Sequence, residues 1–309
     1  MPYRIVHRTS YAYDSPVSAS YGELYLLPRN TDMQRVVLAR VEIEPLPETF
    51  GERTDFFGNR AANFAVLKGH TNLTVTATSV VDVMRGTVPD RMSGPTWEEA
   101  RNILDDRALL ETDILEARQF RLDSPSVPWS EGVRTFTAES FTTGRGLLDA
   151  TADLTARIHD QFAYEPGATD LATTPDDLLL LRKGVCQDFA HLEIACLRSH
   201  GLAARYVSGY LETVAPPGQV KLQGADVSHA WLSVFVPTIG WVDIDPTNNL
   251  FVGERHICTA WGRDYSDVSP LKGVIFTEAS ENTMTVTVDV IDERSDSGKF
   301  EMATPTPQR

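Results

Sequence analysis

Apolar and polar positions alternate along the first 85 residues in short runs, which is the pattern of half-buried β-strands. Turn-forming residues separate the runs, and valine, threonine and aromatic residues, which favour strands, are frequent within them. The runs are Tyr3–His7, Gly22–Leu27, Val36–Ile43, Ala61–Leu67 and Asn72–Val81. The pattern therefore predicts an antiparallel β module over residues 1–85.

The pattern changes to helical spacing after a stretch rich in Gly, Pro and Ser between residues 84 and 97. Thr96 and Glu99 have the spacing of a capping box, which predicts a helix through Ala100–Leu104. A second helix is plausible over Leu110–Phe120, and Gly146–Phe162 repeats apolar residues at helical intervals. We interpret residues 86–144 as a linker and helical segment.

Residues 145–292 alternate helices and strands, which together with the β module predicts an α+β protein. Thr174 and Pro175 begin a helix that should stop near Gly184, and the next helix runs from Cys186 to about His200 before Gly201. That second helix is apolar on several faces, so we expect it to be central. The predicted strands that follow are Ala204–Leu211, His229–Val236, Trp241–Ile244, Gly273–Thr277 and Met284–Val290. Residues 293–309 are polar and predict a flexible tail.

Composition limits the classes of function. The chain has 309 residues, of which 42% are hydrophobic, so a sizeable core is expected. The net charge of −15 and the lack of a basic cluster disfavour nucleic acid and anionic membrane as partners. The first residues form no apolar leader and no run of 18 apolar residues occurs, so we expect a cytoplasmic protein.

Three cysteines without a CxxC pair argue against a disulfide framework or a cysteine-based zinc site. Cys186 differs from the other two because it stands at a predicted helix start, where free N–H groups and the helix dipole favour a thiolate. This is the placement of a nucleophile. Cys196 and Cys258 are more typical of small core residues.

Two polar residues on later strands supply the partners that a nucleophilic thiol needs. If a five-residue loop joins the strands, Phe235 pairs with Trp241, and Asp245 becomes a diagonal neighbour of His229. A shift in register would turn Asp243 toward the imidazole instead. Cys186, His229 and Asp245 would then form a Cys-His-Asp triad.

Other interpretations of these residues stay open. His191 points about 140° away from Cys186 around the helix, so a structural hydrogen bond is expected of it. Asp188 has the position of a first-turn acid that complements the helix dipole. Cys186, His191, His229 and Asp245 could instead bind zinc or iron, but no pair has the helical ligand spacing of i, i+3 or i, i+4, which disfavours a metal site.

Several ordered motifs resemble the bacterial transglutaminase-like superfamily, whose members are also described as cysteine proteases. The motifs are Gly184–His191, Ala204–Tyr210, His229–Trp231 and Gly240–Asn248, with a further bacterial signature at Gly262–Pro270. The resemblance covers roughly residues 145–290, and the first 85 residues look like the β-rich module that often precedes this core in bacteria. It implies a papain-like core, a central helix packed on an antiparallel sheet, with a triad of Cys186, His229 and Asp245.

The function that this resemblance implies is acyl transfer through a cysteine nucleophile. No cofactor is expected, and calcium is disfavoured because the sequence has no EF-hand-like spacing. A hydrolase of peptide or peptide-like amides is the first interpretation, glutamine-to-amine acyl transfer the second, and a non-catalytic peptide-binding or partner-docking module the third. Tyr164, Gln187 and Trp241 are candidate oxyanion or substrate residues. The sequence does not predict an oligomeric state.

Overall fold

The α+β class predicted from the sequence is confirmed in a computed structural model, which describes residues 1–84, 86, 89–213, 226–277 and 281–294. Antiparallel sheets and helices make up the described chain. The predicted flexible tail over 293–309 lies outside the described residues from position 295 onward.

One long strand organises the first sheet. The strands from this part of the chain are β1 (Pro2–Leu27), β2 (Gln34–Glu44), β3 (Thr49–Thr54), β4 (Arg60–Val66) and β5 (His70–Val83). They lie in the order β2-β5-β1-β4-β3. The sequence pattern predicts two short strands in place of β1 and none at β3, whereas β1 continues through an irregular pairing between Ala12 and Val17.

Six helices of the described chain separate the two main sheets in sequence. They are α1 (Trp97–Asp105), α2 (Thr112–Arg118), α3 (Glu131–Ala138), α4 (Leu147–Gln161), α5 (Pro175–Leu181) and α6 (Cys186–Ser199). The predicted capping box of Thr96 and Glu99 and the predicted helix start at Thr174 are confirmed. Helix α3 was not predicted from the sequence. Among the described residues, no helix is both long and apolar enough to cross a membrane.

The second main sheet packs against α6. After the short parallel pair β6 (Ala163–Tyr164) and β7 (Lys183–Gly184), it contains β8 (Ala204–Leu211), β9 (Ser228–Val236), β10 (Gly240–Asp245), β11 (Leu250–Phe251) and β12 (His256–Gly262). Their order is β11-β10-β9-β8-β12. Phe189 and Leu192 of α6 share one hydrophobic core with Ala230, Leu232 and Val234 of β9, as expected for a central helix.

The last two described strands return to the first sheet. β13 (Leu271–Thr277) and β14 (Asn282–Asp292) both pair antiparallel with β1. Their position in the chain places them in the predicted segment 145–292, but strand pairing is set by long-range packing that chain position does not reveal. The first sheet is therefore composed of both ends of the described chain.

Two side-chain amides join the first sheet to the free edge of β12. Gln34 donates to the Cys258 carbonyl oxygen at 2.6 Å and accepts from the Cys258 N–H at 2.9 Å. Asn59 makes the same pair of hydrogen bonds with the backbone of Trp261, at 2.8 and 2.9 Å. The two amides thus replace a neighbouring strand and satisfy backbone groups that an edge strand would leave open.

Candidate active site

The thiol of Cys186 stands at the first residue of α6, where the sequence predicted it. The preceding Val185 donates its N–H to the Asp188 carboxylate at 2.8 Å, and the Thr169 hydroxyl donates to the same oxygen at 2.6 Å. A Cβ on Gly184 would lie only 2.7 Å from that oxygen. Asp188 therefore fixes the chain entering the helix, and glycine is required because the carboxylate occupies the adjacent space.

The register of β9 and β10 selects Asp245 over Asp243 as the partner of His229. Trp241 pairs with Phe235, as predicted. The His229 Nε2 atom lies 2.7 Å from Asp245 Oδ2. Asp243 instead accepts hydrogen bonds from Trp231 and Ser233.

Asp245 is held by donors on both of its oxygens. Oδ1 accepts from the backbone N–H groups of Thr247 at 2.9 Å and Asn248 at 3.2 Å. Oδ2 accepts from the Asn248 side chain at 2.7 Å and lies 3.0 Å from His256 Nε2, in addition to its contact with His229. Burial opposes ionisation of this carboxyl, but the hydrogen bonds from the two histidines and from Asn248 outweigh it and hold the pKa of Asp245 well below its usual range.

The same contacts determine the charge of His229. Burial alone would lower the pKa of its imidazole, but hydrogen bonds to Asp245 and Cys186, together with their negative charges, raise it to about 10. Because Nε2 is engaged by Asp245, the other ring nitrogen is the one available to the thiol. The arrangement can thus hold a positively charged imidazolium beside the Asp245 carboxylate.

The other two cysteines have environments unlike that of Cys186. Cys196 and Cys258 are buried, whereas Cys186 is only partly buried. Burial raises the pKa of each buried thiol to about 12. They are therefore packing residues, as predicted, and poor nucleophiles at neutral pH.

Of the further candidate residues, Tyr164 lies close to Cys186 and Trp241 lies apart from it. Tyr164 pairs with Gly184 across β6 and β7, and burial with the negative charges of Cys186 and Asp188 raises the pKa of its hydroxyl. Gln187 follows Cys186 and is partly buried. Trp241 lies at the start of β10, four residues before Asp245, where it packs with Phe120, Phe235 and Arg205.

His191 has the structural role predicted for it. Its Nε2 atom accepts a hydrogen bond from the Tyr265 backbone N–H at 3.1 Å, and its ring packs 5.1 Å from that of Tyr206. Burial lowers the pKa of His191 to about 4, so the imidazole is neutral at physiological pH. The metal site considered with His191 as a ligand is disfavoured further, because its Nε2 is occupied.

Sequence reasoning missed three residues around Asp245. Asn248 closes the turn after the Asp-Pro-Thr motif, and only that motif could have indicated it. His256 opens β12, a strand that the sequence analysis overlooked although Ile257–Trp261 is largely apolar. Glu193 is fully buried on α6, seven residues and so nearly two turns after Cys186, which helical periodicity alone could have placed on the same face.

His229, Asp245 and His256 also have the donor types of a zinc site. Their ligand atoms lie within 4.8 Å of one another among the described residues. Both imidazole Nε2 atoms, however, lie at hydrogen-bond distance from the same oxygen, Asp245 Oδ2. The present geometry is therefore that of a hydrogen-bonded cluster around one carboxylate oxygen.

Comparisons with known proteins match both parts of the chain. Residues 3–82 match the family described as the bacterial transglutaminase-like N-terminal region, and residues 134–246 match the transglutaminase-like superfamily. The uncharacterized protein Mb2599c of Mycobacterium bovis is 42% identical over 302 residues, which cover 96% of this chain and 94% of that protein. Protein-glutamine gamma-glutamyltransferase of Pseudomonas aeruginosa is 36% identical over 92 residues, 29% of this chain and 14% of that protein.

Among solved structures, similarity extends over nearly the whole chain. The crystal structure of "a Putative Cysteine Protease" from Cytophaga hutchinsonii superposes with a TM-score of 0.73 and 23% sequence identity. The match covers 98% of this chain and 94% of that one. At this level of identity the likeness establishes a shared fold, including the arrangement of the β-rich module with the helical core.

Proposed function

Because this chain belongs to the transglutaminase-like superfamily, we propose that it is a thiol-dependent amide hydrolase that acts on a peptide or peptide-like substrate. The observation that supports the proposal most strongly is the position of His229, whose Nε2 atom lies 2.7 Å from Asp245 Oδ2 and whose pKa is raised by Asp245 and by the neighbouring Cys186. In this proposal Cys186 is the nucleophile, His229 the acid and base, and Asp245 the residue that orients and charges the imidazole.

The first half of the proposed reaction forms an acyl-enzyme. The Cys186 sulfur anion attacks the carbonyl carbon of the amide, and the carbonyl oxygen takes up negative charge. The free N–H groups in the first turn of α6 lie on the same element as the sulfur and can donate to that oxygen. When the carbon–nitrogen bond breaks, His229 gives its proton to the departing amine, which leaves a thioester on Cys186 and a neutral imidazole.

Water completes the second half. Neutral His229 takes a proton from the water as the oxygen attacks the thioester carbon. The carbon–sulfur bond then breaks, the acid product leaves, and the sulfur anion faces an imidazolium again. The cycle consumes one amide and one water, and the negative charge of Asp245 stabilises each charged form of His229.

Selective alkylation tests the central premise. Folded protein is treated with iodoacetamide near pH 6, and the modified cysteines are identified by peptide mass mapping. We expect Cys186 to react at least about tenfold faster than Cys196 and Cys258, because only Cys186 has an imidazolium partner and partial exposure. Equal rates at the three positions would exclude an activated thiol. Acyl adducts trapped on Cys186 from a cell extract would then identify the substrate by mass.

A second candidate is acyl transfer from a glutamine side chain to an amine. It is favoured by the 92-residue similarity to the Pseudomonas protein named as a glutamine gamma-glutamyltransferase. In this reaction a primary amine replaces water in resolving the thioester, and ammonia is the first product. Ammonia release together with incorporation of a labelled primary amine into a glutamine-containing protein would support transfer, whereas ammonia release without incorporation would support hydrolysis.

We also propose that the protein acts in the cytoplasm, where a reducing environment keeps thiols free. All three cysteines are unpaired in the structure, and the mechanism requires the thiol of Cys186. Fractionation of cells that make the native chain tests this location. Recovery of the protein outside the cytoplasmic fraction would contradict it.

A further inference from the structure

A second histidine contacts the same oxygen of Asp245 as His229 does. His256 opens β12, which β8 separates from β9 and β10 in the order of the sheet. Its ring crosses Trp231 edge-on at 5.2 Å between ring centroids and lies 5.8 Å from the ring of His229. The side chain is 3% exposed. Such placement brings His256 to the carboxylate in a buried position.

The contacts of His256 assign the donor of its hydrogen bond. An ionised carboxylate can only accept, so the Nε2 atom, 3.0 Å from Asp245 Oδ2, carries the proton. The other ring nitrogen, Nδ1, is buried and has no hydrogen-bond partner among the described residues. A buried polar atom without a partner is unfavourable. Among the described residues, Asp245 is therefore the hydrogen-bond partner that the ring nitrogens of His256 have.

Orientation of Asp245 does not depend on His256. Oδ1 is held by two backbone N–H groups, and Oδ2 by the Asn248 amide as well as by His229. What His256 adds is a further donor on the oxygen that faces His229. A shared carboxylate oxygen has less negative charge to offer each donor, so the imidazolium of His229 is stabilised less than it would be by Asp245 alone.

We propose that His256 is a positioning residue for the reaction proposed above, and that it acts through Asp245 to keep the His229 imidazolium acidic enough to give up its proton. Transfer of that proton to the departing amine completes acylation. An imidazolium held too strongly by its carboxylate is a poor acid, and the balance between charge and acidity sets the efficiency of proton transfer. Asp245 supplies the negative charge that stabilises the imidazolium, and the hydrogen bond from His256 reduces the part of that charge available to His229.

The test compares two variants by nuclear magnetic resonance of ¹⁵N-labelled histidine side chains. His256→Phe keeps a ring against Trp231 but removes the donor, whereas His256→Gln keeps an N–H group at about the reach of Nε2. The titration midpoint of His229, whose signals are identified by their loss in His229→Gln, is followed between pH 6 and 11. We expect it to rise by about 0.5 pH unit in the Phe variant and to stay at the wild-type value in the Gln variant.

A purely structural role for His256 gives a different result. It would lower the unfolding temperature of the Phe variant and leave the His229 midpoint unchanged, which would overturn the inference, as would a lower midpoint. If the Phe variant does not fold, His256→Asn, which is too short to reach Asp245, is compared with His256→Gln in its place. Iodoacetamide treatment of the wild-type protein separates the two proposals. An unreactive Cys186 contradicts the amide hydrolase. A reactive Cys186 together with an unchanged His229 midpoint in the Phe variant contradicts only the role of His256.

Discussion

Asp245 is the residue on which the charge of His229 depends. Its carboxylate and the sulfur of Cys186 together offset the burial of the imidazole, which by itself would lower the pKa. Replacing one oxygen of Asp245 by an amide removes a full negative charge at 2.7 Å from Nε2. The imidazolium of His229 should lose much more electrostatic stabilisation than a member of an exposed ion pair would, because the Asp245 side chain has no exposed surface.

We predict that Asp245→Asn lowers the rate of Cys186 alkylation at pH 6 by about 100-fold, because a neutral His229 no longer stabilises the thiolate. Second-order rate constants for iodoacetamide measure the effect. Asp243→Asn is the matched control, since Asp243 lies two residues earlier on β10 and contacts Trp231 and Ser233 instead. An equal loss of reactivity in both variants would assign the effect to the strand and not to the charge.

Glu193 is a buried acid whose protonation affects stability. Burial raises its pKa to about 8, the hydrogen bond from Thr155 opposes this, and the charge of Asp245 adds to it. The Thr155 hydroxyl lies 2.7 Å from Glu193 and 2.9 Å from the Thr151 carbonyl oxygen. One hydroxyl proton can serve only one of these contacts, so a proton on Glu193 allows both to be hydrogen bonds.

The folded protein consequently keeps a proton on Glu193 that the unfolded chain releases above about pH 4.5. Stability should fall as pH rises from 4.5 to 8, and we predict that Glu193→Gln removes most of this decline. The gain relative to wild type should be about 3–4 kcal/mol larger at pH 8 than at pH 5. Urea unfolding at both pH values measures it, with the exposed Glu116→Gln as control. A parallel pH dependence in wild type and Glu193→Gln would contradict a neutral Glu193.

The start of α6 shows how an element depends on one small residue. Gly184 leaves room for the Asp188 carboxylate, and an added methyl group would also lie 2.9 Å from Leu178. We predict that Gly184→Ala costs about 1–3 kcal/mol of stability and slows alkylation of Cys186, because the first turn of α6 must move. Gly69→Ala, where an added methyl group meets nothing within 4 Å, is the control. Urea unfolding and iodoacetamide rates would contradict the prediction if the two variants behaved alike.

The sequence could predict elements whose signals are local. The start of α5 follows from Thr174 and Pro175, and the register of β9 and β10 follows from a short loop that brings Phe235 opposite Trp241. The single strand β1 was predicted as two short runs, because the tertiary pairing that carries it through an irregularity between Ala12 and Val17 has no local signal. His256 was not predicted as a site residue, because its contact with Asp245 depends on the curvature of the folded sheet and has no local sequence signal.

At the scale of the whole molecule, the family predicted from several ordered motifs is confirmed. None of these motifs indicated how the two sheets associate. β13 and β14 return to β1, so the last described strands complete the sheet that the first strand begins. Two cations extend the junction: Arg29 and Arg205 lie 3.2 and 3.7 Å from the centroid of the Trp261 ring. Contacts of this kind are favourable when they are removed from water.

The amides of Gln34 and Asn59 suggest that the first sheet stabilises the strand that carries His256. Each satisfies one N–H and one C=O on the open edge of β12, in a buried position for Gln34 and a partly buried one for Asn59. We predict that Asn59→Ala destabilises the protein by about 2–3 kcal/mol and accelerates hydrogen exchange at the Trp261 amide. Asn72→Ala, which removes an exposed amide from β5, is the matched control and should change stability by less than about 0.5 kcal/mol.

Exchange measured residue by residue distinguishes local support from general stability. If the first sheet acts as a neighbour for β12, amides of that strand should lose protection in Asn59→Ala before those of β9, which is paired on both sides. A uniform loss across both strands would mean that Asn59 contributes only to global stability. Because His256 begins β12, a selective loss of exchange protection in that strand would also link the junction between the sheets to the environment of Asp245. The rate of Cys186 alkylation in Asn59→Ala would then measure whether the change extends to the nucleophile.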